Sequence, residues 1–372
     1  MLIPAYLIAI AIPLFSLWFI YRFDLYKTGE FTTILLCFFA GVAAVGAAGQ
    51  VNGTLIREGW LERMDVVRYA APMIEEVLKG LVLWALVRRA RFTYFVEGAV
   101  YGFSAGVGFA IVENFQYIAK PEAGLAIAVS RVFSTNLIHA ATCGLLGIAL
   151  GLARFERGTR RFLLSAAGLL IAMLLHVGFN NMVTRVNSGL LLVYAVASGV
   201  CGAAVIIYAI RWGIQEEKNW IKEKLGAADR VTQQEAAMVH HIEDMREFLK
   251  PLEERYGGKE AEKIKRLFTL QARIGIQRKT LEKLADERMK RSVEAQIEKL
   301  RGEMNDIRKD IGSYAMLQLR HTLPSESSAL WERLEELIQE RASAPQAAKI
   351  NVWDNLKARQ SQAADSRQES ES

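Results

Sequence analysis

The chain has 372 residues, 46 Lys and Arg against 40 Asp and Glu, 52% apolar residues and three cysteines. Its net charge of +6 lies wholly in the first 211 residues, which hold 17 basic and 11 acidic side chains, while residues 212–372 hold 29 of each. Positive charge confined to the apolar half suits membrane boundaries and speaks against a nucleic-acid partner. Cys37, Cys143 and Cys201 all lie inside apolar runs. They read as small buried residues, with no disulfide framework and no thiolate metal centre.

A membrane-crossing helix needs about 20 mainly apolar residues. Seven segments qualify on reading the chain in order: 2–20, 31–51, 70–88, 95–118, 130–152, 162–183 and 189–211. The first lacks a basic leader and a small-residue cleavage site, and is read as a retained span. Trp18, Tyr21, Tyr94, Phe95, Tyr117 and Trp212 fall at span edges, where aromatic rings prefer to sit. The connections after spans 1, 3 and 5 carry nine basic residues: Arg22, Lys27, Arg88, Arg89, Arg91, Arg154, Arg157, Arg160 and Arg161. The other three connections carry six: Arg57, Arg63, Arg68, Lys120, Arg131 and Arg185. The positive-inside rule then predicts an outside N-terminus and a cytoplasmic C-terminal region. Along span 4, Gly98, Gly102, Gly106 and Ala110 recur every four residues, a stripe that lets helices approach closely.

Ionised groups inside a bilayer cost roughly 2.5–3.5 kcal/mol each even on lenient scales. The spans nevertheless contain Glu75, Glu76 and Lys79 (span 3), Glu97 and Glu113 (span 4), His139 (span 5) and His176 (span 6). At about 1.5 Å per helical residue, Glu75 lies roughly 8 Å from the outer end of its span, and Glu113 is similar. His139 lies roughly 13 Å deep and His176 roughly 10 Å. Four helices thus deliver titratable groups to one layer in the outer half of the membrane. Thr135, Asn136, His139, Thr142 and Cys143 share one strip of span 5, and His176 and Asn180 share one face of span 6. Lys79 stands one turn after the two glutamates and can neutralise one of them as a structural ion pair. Glu97, near the opposite surface, is read as a capping or snorkelling residue.

Such a set suits hydrolysis, with a glutamate activating water and His and Asn stabilising the oxyanion. It also suits metal-assisted hydrolysis, with Glu113, His139 and His176 as candidate ligands and zinc as the candidate metal. There is no HExxH, no phosphate-binding loop and no GxSxG elbow. A proton-coupled transporter or a non-catalytic scaffold would use the same polar cluster differently. A transporter should show paired repeats, and none is apparent.

The stretches "EEVLK" at 75–79, "GFSAGVGFAIVEN" at 102–114, "NLIHAAT" at 136–142 and "HVGFN" at 176–180 resemble the four motifs of the PrsW family. These are polytopic bacterial intramembrane proteases related to the CAAX-processing and Abi endopeptidases. The resemblance covers about residues 65–185. It implies that Glu75 and Glu76 include the water-activating carboxylate, that Glu113, His139 and His176 complete the site, and that Asn180 helps hold the oxyanion. It also implies a bacterial inner-membrane location and a membrane-tethered substrate, an anti-sigma factor being the best-known case. The cut is then expected on the extracytoplasmic side.

The expected organisation is all-α: a membrane bundle over 1–211, a cytoplasmic helical region over 212–342 and a disordered tail over 343–372. "TQQE" at 232–235 reads as a capping box. Pro251 and "YGG" at 256–258 suggest a break between helices. Val293, Ile297, Leu300, Met304, Ile307, Ile311 and Tyr314 alternate by four and three, fit for a coiled coil or helical hairpin. This region suits self-association or regulator binding. His240–His241 reads as a solvated pair.

Overall fold

The structure, a computed structural model, describes residues 2–22, 30–119, 125–185, 188–226, 229, 231–240, 253, 258–312 and 316. Every regular element among the described residues is helical. In chain order they are α1 (Leu2–Arg22), α2 (Phe31–Arg57), the short α3 (Arg63–Asp65), a π-helical turn (Val66–Ala70) and α4 (Ala71–Leu86). There follow α5 (Phe95–Ile118), α6 (Leu125–Ala153), α7 (Gly158–Arg185) and α8 (Ser188–Lys224). The last three are α9 (Gln233–His240), α10 (Gly258–Lys283) and α11 (Glu287–Ile311).

Among the described residues, four segments are long and apolar enough to cross a membrane: Phe31–Arg57, Phe95–Ile118, Ser134–Ala153 and Gly158–Arg185. The other three of the seven expected spans are also helical, but α1 has only the shorter apolar run Ile3–Trp18. α4 is 16 residues long and carries the three charges. Cys37 and Cys143 are buried as expected, whereas Cys201 is exposed on α8.

α5 is the hub, almost wholly buried between α6 on one side and α1 and α2 on the other. Its glycine stripe explains the arrangement. A Cβ on Gly98, Gly102 or Gly106 would run into the carbonyls of Gly147, Cys143 or His139 on α6. On the opposite face, Gly108 meets the Phe38 carbonyl, and Gly41 of α2 meets that of Ala105. Without water to drive helices together in lipid, such backbone-level packing supplies much of the association. α4 lies against α2, α7 and α6, so its glutamates point into the space that α5 and α6 enclose. Glu97 accepts from both the backbone N–H and the hydroxyl of Thr93, capping the start of α5 as the sequence suggests.

The boundary expected at 211–212 falls inside α8, which runs on unbroken from the apolar segment to Lys224. Thr232 and Glu235 form the expected capping box: Glu235 N donates to Thr232 Oγ1 at 3.2 Å, and Thr232 N to Glu235 Oε2 at 3.3 Å. The heptad residues Val293, Ile297, Leu300, Met304 and Ile311 are buried, with Ile307 half-buried, and α11 folds back on α10 as a helical hairpin. Asp286 caps α11, accepting from Arg288 N and Met289 N. Buried Asp229 ties the pair by accepting from Arg278 and Arg301. The hairpin also touches the bundle, where Gln277 donates to Ala90 O, Thr280 to Thr93 O and Arg157 to Ala285 O. Tyr314, Pro251, His241 and the expected tail from 343 lie outside the described residues, as does the side chain of His240.

The Gly106 contact predicts that Gly106→Ala lowers the thermal midpoint in detergent, because overpacking a tight interface costs about 1–3 kcal/mol. Gly49→Ala, with nothing within 4 Å of its would-be Cβ, should leave the midpoint unchanged. Equal midpoints for the two variants would contradict the close approach.

Candidate active site

Five of the expected site residues meet between α4, α5, α6 and α7. Glu76 is the most enclosed, with a side chain that is 0% exposed. Its Oε1 accepts from Lys79 Nζ at 2.7 Å, His176 Nδ1 at 2.8 Å and Thr142 Oγ1 at 3.0 Å, and Cys143 Sγ lies 3.8 Å from Oε2. This carboxylate is saturated with donors. Lys79, equally buried, also places Nζ 3.0 Å from His139 Nδ1 and 4.6 Å over the Phe109 ring.

Those contacts fix the proton positions. An ammonium only donates, so His139 Nδ1 accepts, and the ring proton sits on Nε2, which donates to Glu113 Oε2 at 2.5 Å. His176 gives its Nδ1 proton to Glu76, and its Nε2 lies 3.7 Å from Glu75 Oε2. The two imidazoles stand edge to face at 4.6 Å. Glu75 and Glu113 keep side-chain exposures of 14% and 21%. Two carboxylates of the cluster are therefore open enough to meet a water or substrate, and one is locked inside.

Donor atoms of Glu75, His139 and His176 all lie within 4.8 Å of one another. The set fits a metal ion. His176 presents Nε2 from a ring oriented through Nδ1 by a carboxylate, the usual arrangement behind a histidine ligand. His139 would join through Nε2 only with that proton moved to Nδ1, where Lys79 Nζ, 3.0 Å away, would have to turn aside or give up a proton. Glu75 takes the third place in this group, where the sequence suggested Glu113.

Asn180 does not reach the cluster. Its Nδ2 donates to Val67 O at 2.9 Å, and Asn181 Nδ2 donates to Arg68 O at 3.3 Å. The cause is Pro72. In the π-helical turn, Ala71 N reaches back five residues to Val66 O. The same register assigns Val67 O to the nitrogen of Pro72, which has no hydrogen. Asn180 supplies the missing donor and Asn181 adds one to the next carbonyl, and so they lock His176, one turn before Asn180, opposite Glu75 and Glu76. Pro72, Asn181 and Phe109 were not among the expected site residues. A proline beginning a helix that also carries charges was the available signal. Beyond the cluster, towards the C-terminal end of α5, Asn114 Nδ2 donates to Asn136 Oδ1 at 3.2 Å, so Asn136 joins α5 and α6.

A carboxylate–histidine cluster between apolar helices suits peptide hydrolysis inside a membrane. The model of the family described as "PrsW family intramembrane metalloprotease" matches residues 29–212, and over that stretch the chain belongs to the PrsW family. Protease PrsW of Bacillus subtilis (strain 168) is 29% identical over 172 residues, 46% of this chain and 78% of that protein. Protease PrsW of Clostridioides difficile (strain 630) is 31% identical over 128 residues, 33% of this chain and 53% of that protein. Protease PrsW of Geobacillus kaustophilus (strain HTA426) is 28% identical over 154 residues, covering 41% and 68%. No solved structure matches the chain.

The proline account predicts coupling between Pro72 and Asn180. Asn180→Ala alone leaves a buried carbonyl without a donor, a loss of about 1–3 kcal/mol in chemical unfolding. In a Pro72→Ala background the restored N–H should remove most of that loss. Equal losses in both backgrounds would show that Asn180 acts elsewhere.

Proposed function

We propose that the chain is an endopeptidase of the bacterial cytoplasmic membrane. It crosses the bilayer seven times with its C-terminal helices in the cytoplasm. It cleaves membrane-tethered proteins near the extracytoplasmic side, in the manner of regulated proteolysis of an anti-sigma-like protein. One observation carries the reading: Glu76 is held by three donors, while Glu75 keeps partial exposure 3.7 Å from His176 Nε2.

Glu75 takes a proton from water, and the oxygen attacks the scissile carbonyl carbon. The C–N bond then breaks as Glu75 returns the proton to the leaving amine. Glu76 and Lys79 act as positioning residues, holding both histidine rings in the tautomers deduced above. The one N–H of His139 is given to Glu113 in the resting site, so an oxyanion takes it only when that bond is released. Where a zinc-type metal is bound, Glu75, His139 and His176 would hold it, and it would supply Lewis-acid polarisation and a more acidic water. The convergence of those three donors favours a second reading in which Glu75 is a ligand and proton abstraction falls to Glu113.

The test incubates purified full-length protein with single-span substrates and maps the products by mass spectrometry. Glu75→Gln should lower cleavage by about 10²–10⁴-fold, the usual contribution of a general base, with an unchanged melt. If that variant keeps its metal content, Glu75 is the base. If it loses the metal while Glu113→Gln keeps it and is inactive, the second reading holds. No cleavage by folded wild-type protein across a broad substrate set would overturn the protease reading.

A further inference from the structure

The geometry points to a binding site for the phosphate of an anionic membrane lipid, where the C-terminal hairpin meets the ends of α4 and α7. A pocket of about 380 Å³ opens there, far along α4 from the glutamates. Arg88, just past α4, Arg161 in the first turn of α7 and Arg288 in the first turn of α11 all line it. None of the three makes an ion pair among the described residues. Asp286 is the one carboxylate on the wall; its Oδ1 accepts from Arg288 N and Met289 N, and its charge faces Arg161 and Arg288. Three guanidinium groups from three separate elements thus line one space against a single carboxylate. Guanidinium forks match phosphate oxygens in pairs, which makes arginine the residue of choice for this ligand.

The surroundings argue for a lipid as the carrier. Arg88 stacks over the ring of Trp84, one turn back on α4, and that ring is half exposed. Phe162 and Leu163, next to Arg161, are among the most exposed apolar residues of the chain. Arg88 therefore stands over an outward-facing apolar ring, and Arg161 is followed along α7 by two outward-facing apolar side chains, as expected at a hydrocarbon–headgroup boundary. Ser165, one turn after Arg161, also lines the wall, its hydroxyl donating to Arg161 O at 2.9 Å. A neighbouring pocket of about 560 Å³ shares Arg88, but there Glu30 already pairs with Arg91 at 2.9 Å. A headgroup in the smaller pocket would bridge α4 and α7 to the turn at 284–288, which Arg157 already holds through Ala285 O at 3.2 Å. The lipid would in this way fasten the hairpin to the membrane end of the bundle. This inference rests on the membrane-spanning reading but on none of the catalytic assignments.

Short-chain phosphatidylglycerol, short-chain phosphatidylcholine and inorganic phosphate would each be titrated into the full-length protein in neutral detergent, with bound ligand counted by native mass spectrometry. Phosphatidylglycerol should bind and phosphatidylcholine should not. Phosphate alone should neither bind nor compete at comparable concentration. Arg288→Gln, at an exposed position, should weaken phosphatidylglycerol about fivefold, and adding Arg161→Gln should weaken it about as much again. Arg57→Gln, at the far end of α2, removes the same charge and should change nothing. If the double variant fails to fold, Arg288→Gln and Arg161→Lys carry the test. Equal binding of phosphatidylcholine, unchanged affinity in Arg288→Gln, or effective competition by phosphate would each overturn the lipid site.

Discussion

Everything at the site hangs on one buried ion pair. Lys79 and Glu76, 2.7 Å apart and one turn apart on α4, have no exposed side-chain surface. Alone in hydrocarbon, each would cost several kilocalories per mole, and together they largely cancel. Their remaining hydrogen-bonding capacity is what matters for chemistry. Lys79 has a proton to spare for His139, and Glu76 has lone pairs to spare for His176 and Thr142. The pair therefore sets which nitrogen of each imidazole carries hydrogen, and both rings are held before any substrate arrives.

That arrangement needs three helices at close range, and glycine makes the approach possible. Gly106 lies against the His139 carbonyl itself, so the packing of α5 on α6 and the placement of a site histidine are one contact. On the far side, Pro72 leaves the Val67 carbonyl of the π-helical turn without an N–H donor, and Asn180 fills it. The register of α7 against α4 follows from a missing hydrogen. The polar layer is thus held by backbone-level constraints on both flanks.

Much of this was legible in the sequence, for physical reasons that can be named. Depth along a helix is fixed by 1.5 Å per residue, so Glu75, Glu76, Glu113, His139 and His176 could be put in one layer without coordinates. The strip with Thr142 and Cys143 follows from helical spacing, and both contact Glu76. What spacing cannot supply is the division of labour. Glu75 and Glu76 are neighbours in sequence, and only the surrounding helices decide which is saturated. Asn180 sits on the His176 face as expected, yet its amide is drawn to the backbone that Pro72 leaves unsatisfied. Arg154, counted among the boundary charges, is buried and donates to the Val87 carbonyl. A count of basic residues cannot distinguish it from the exposed Arg160. The docking of α10 and α11 on the loops of the bundle joins residues almost 190 positions apart, beyond any local pattern.

The most direct test of the central claim replaces both members of the pair, Glu76→Met together with Lys79→Met. Either single change leaves a buried charge unpartnered and should cost about 3–5 kcal/mol, whereas the double change should restore the wild-type melt. If the pair orients the histidines, the stable double variant will still fail to cleave a substrate that the wild-type protein cuts. Cleavage at the wild-type rate by the double variant would contradict the account, because the rings would then be held by something other than Lys79 and Glu76.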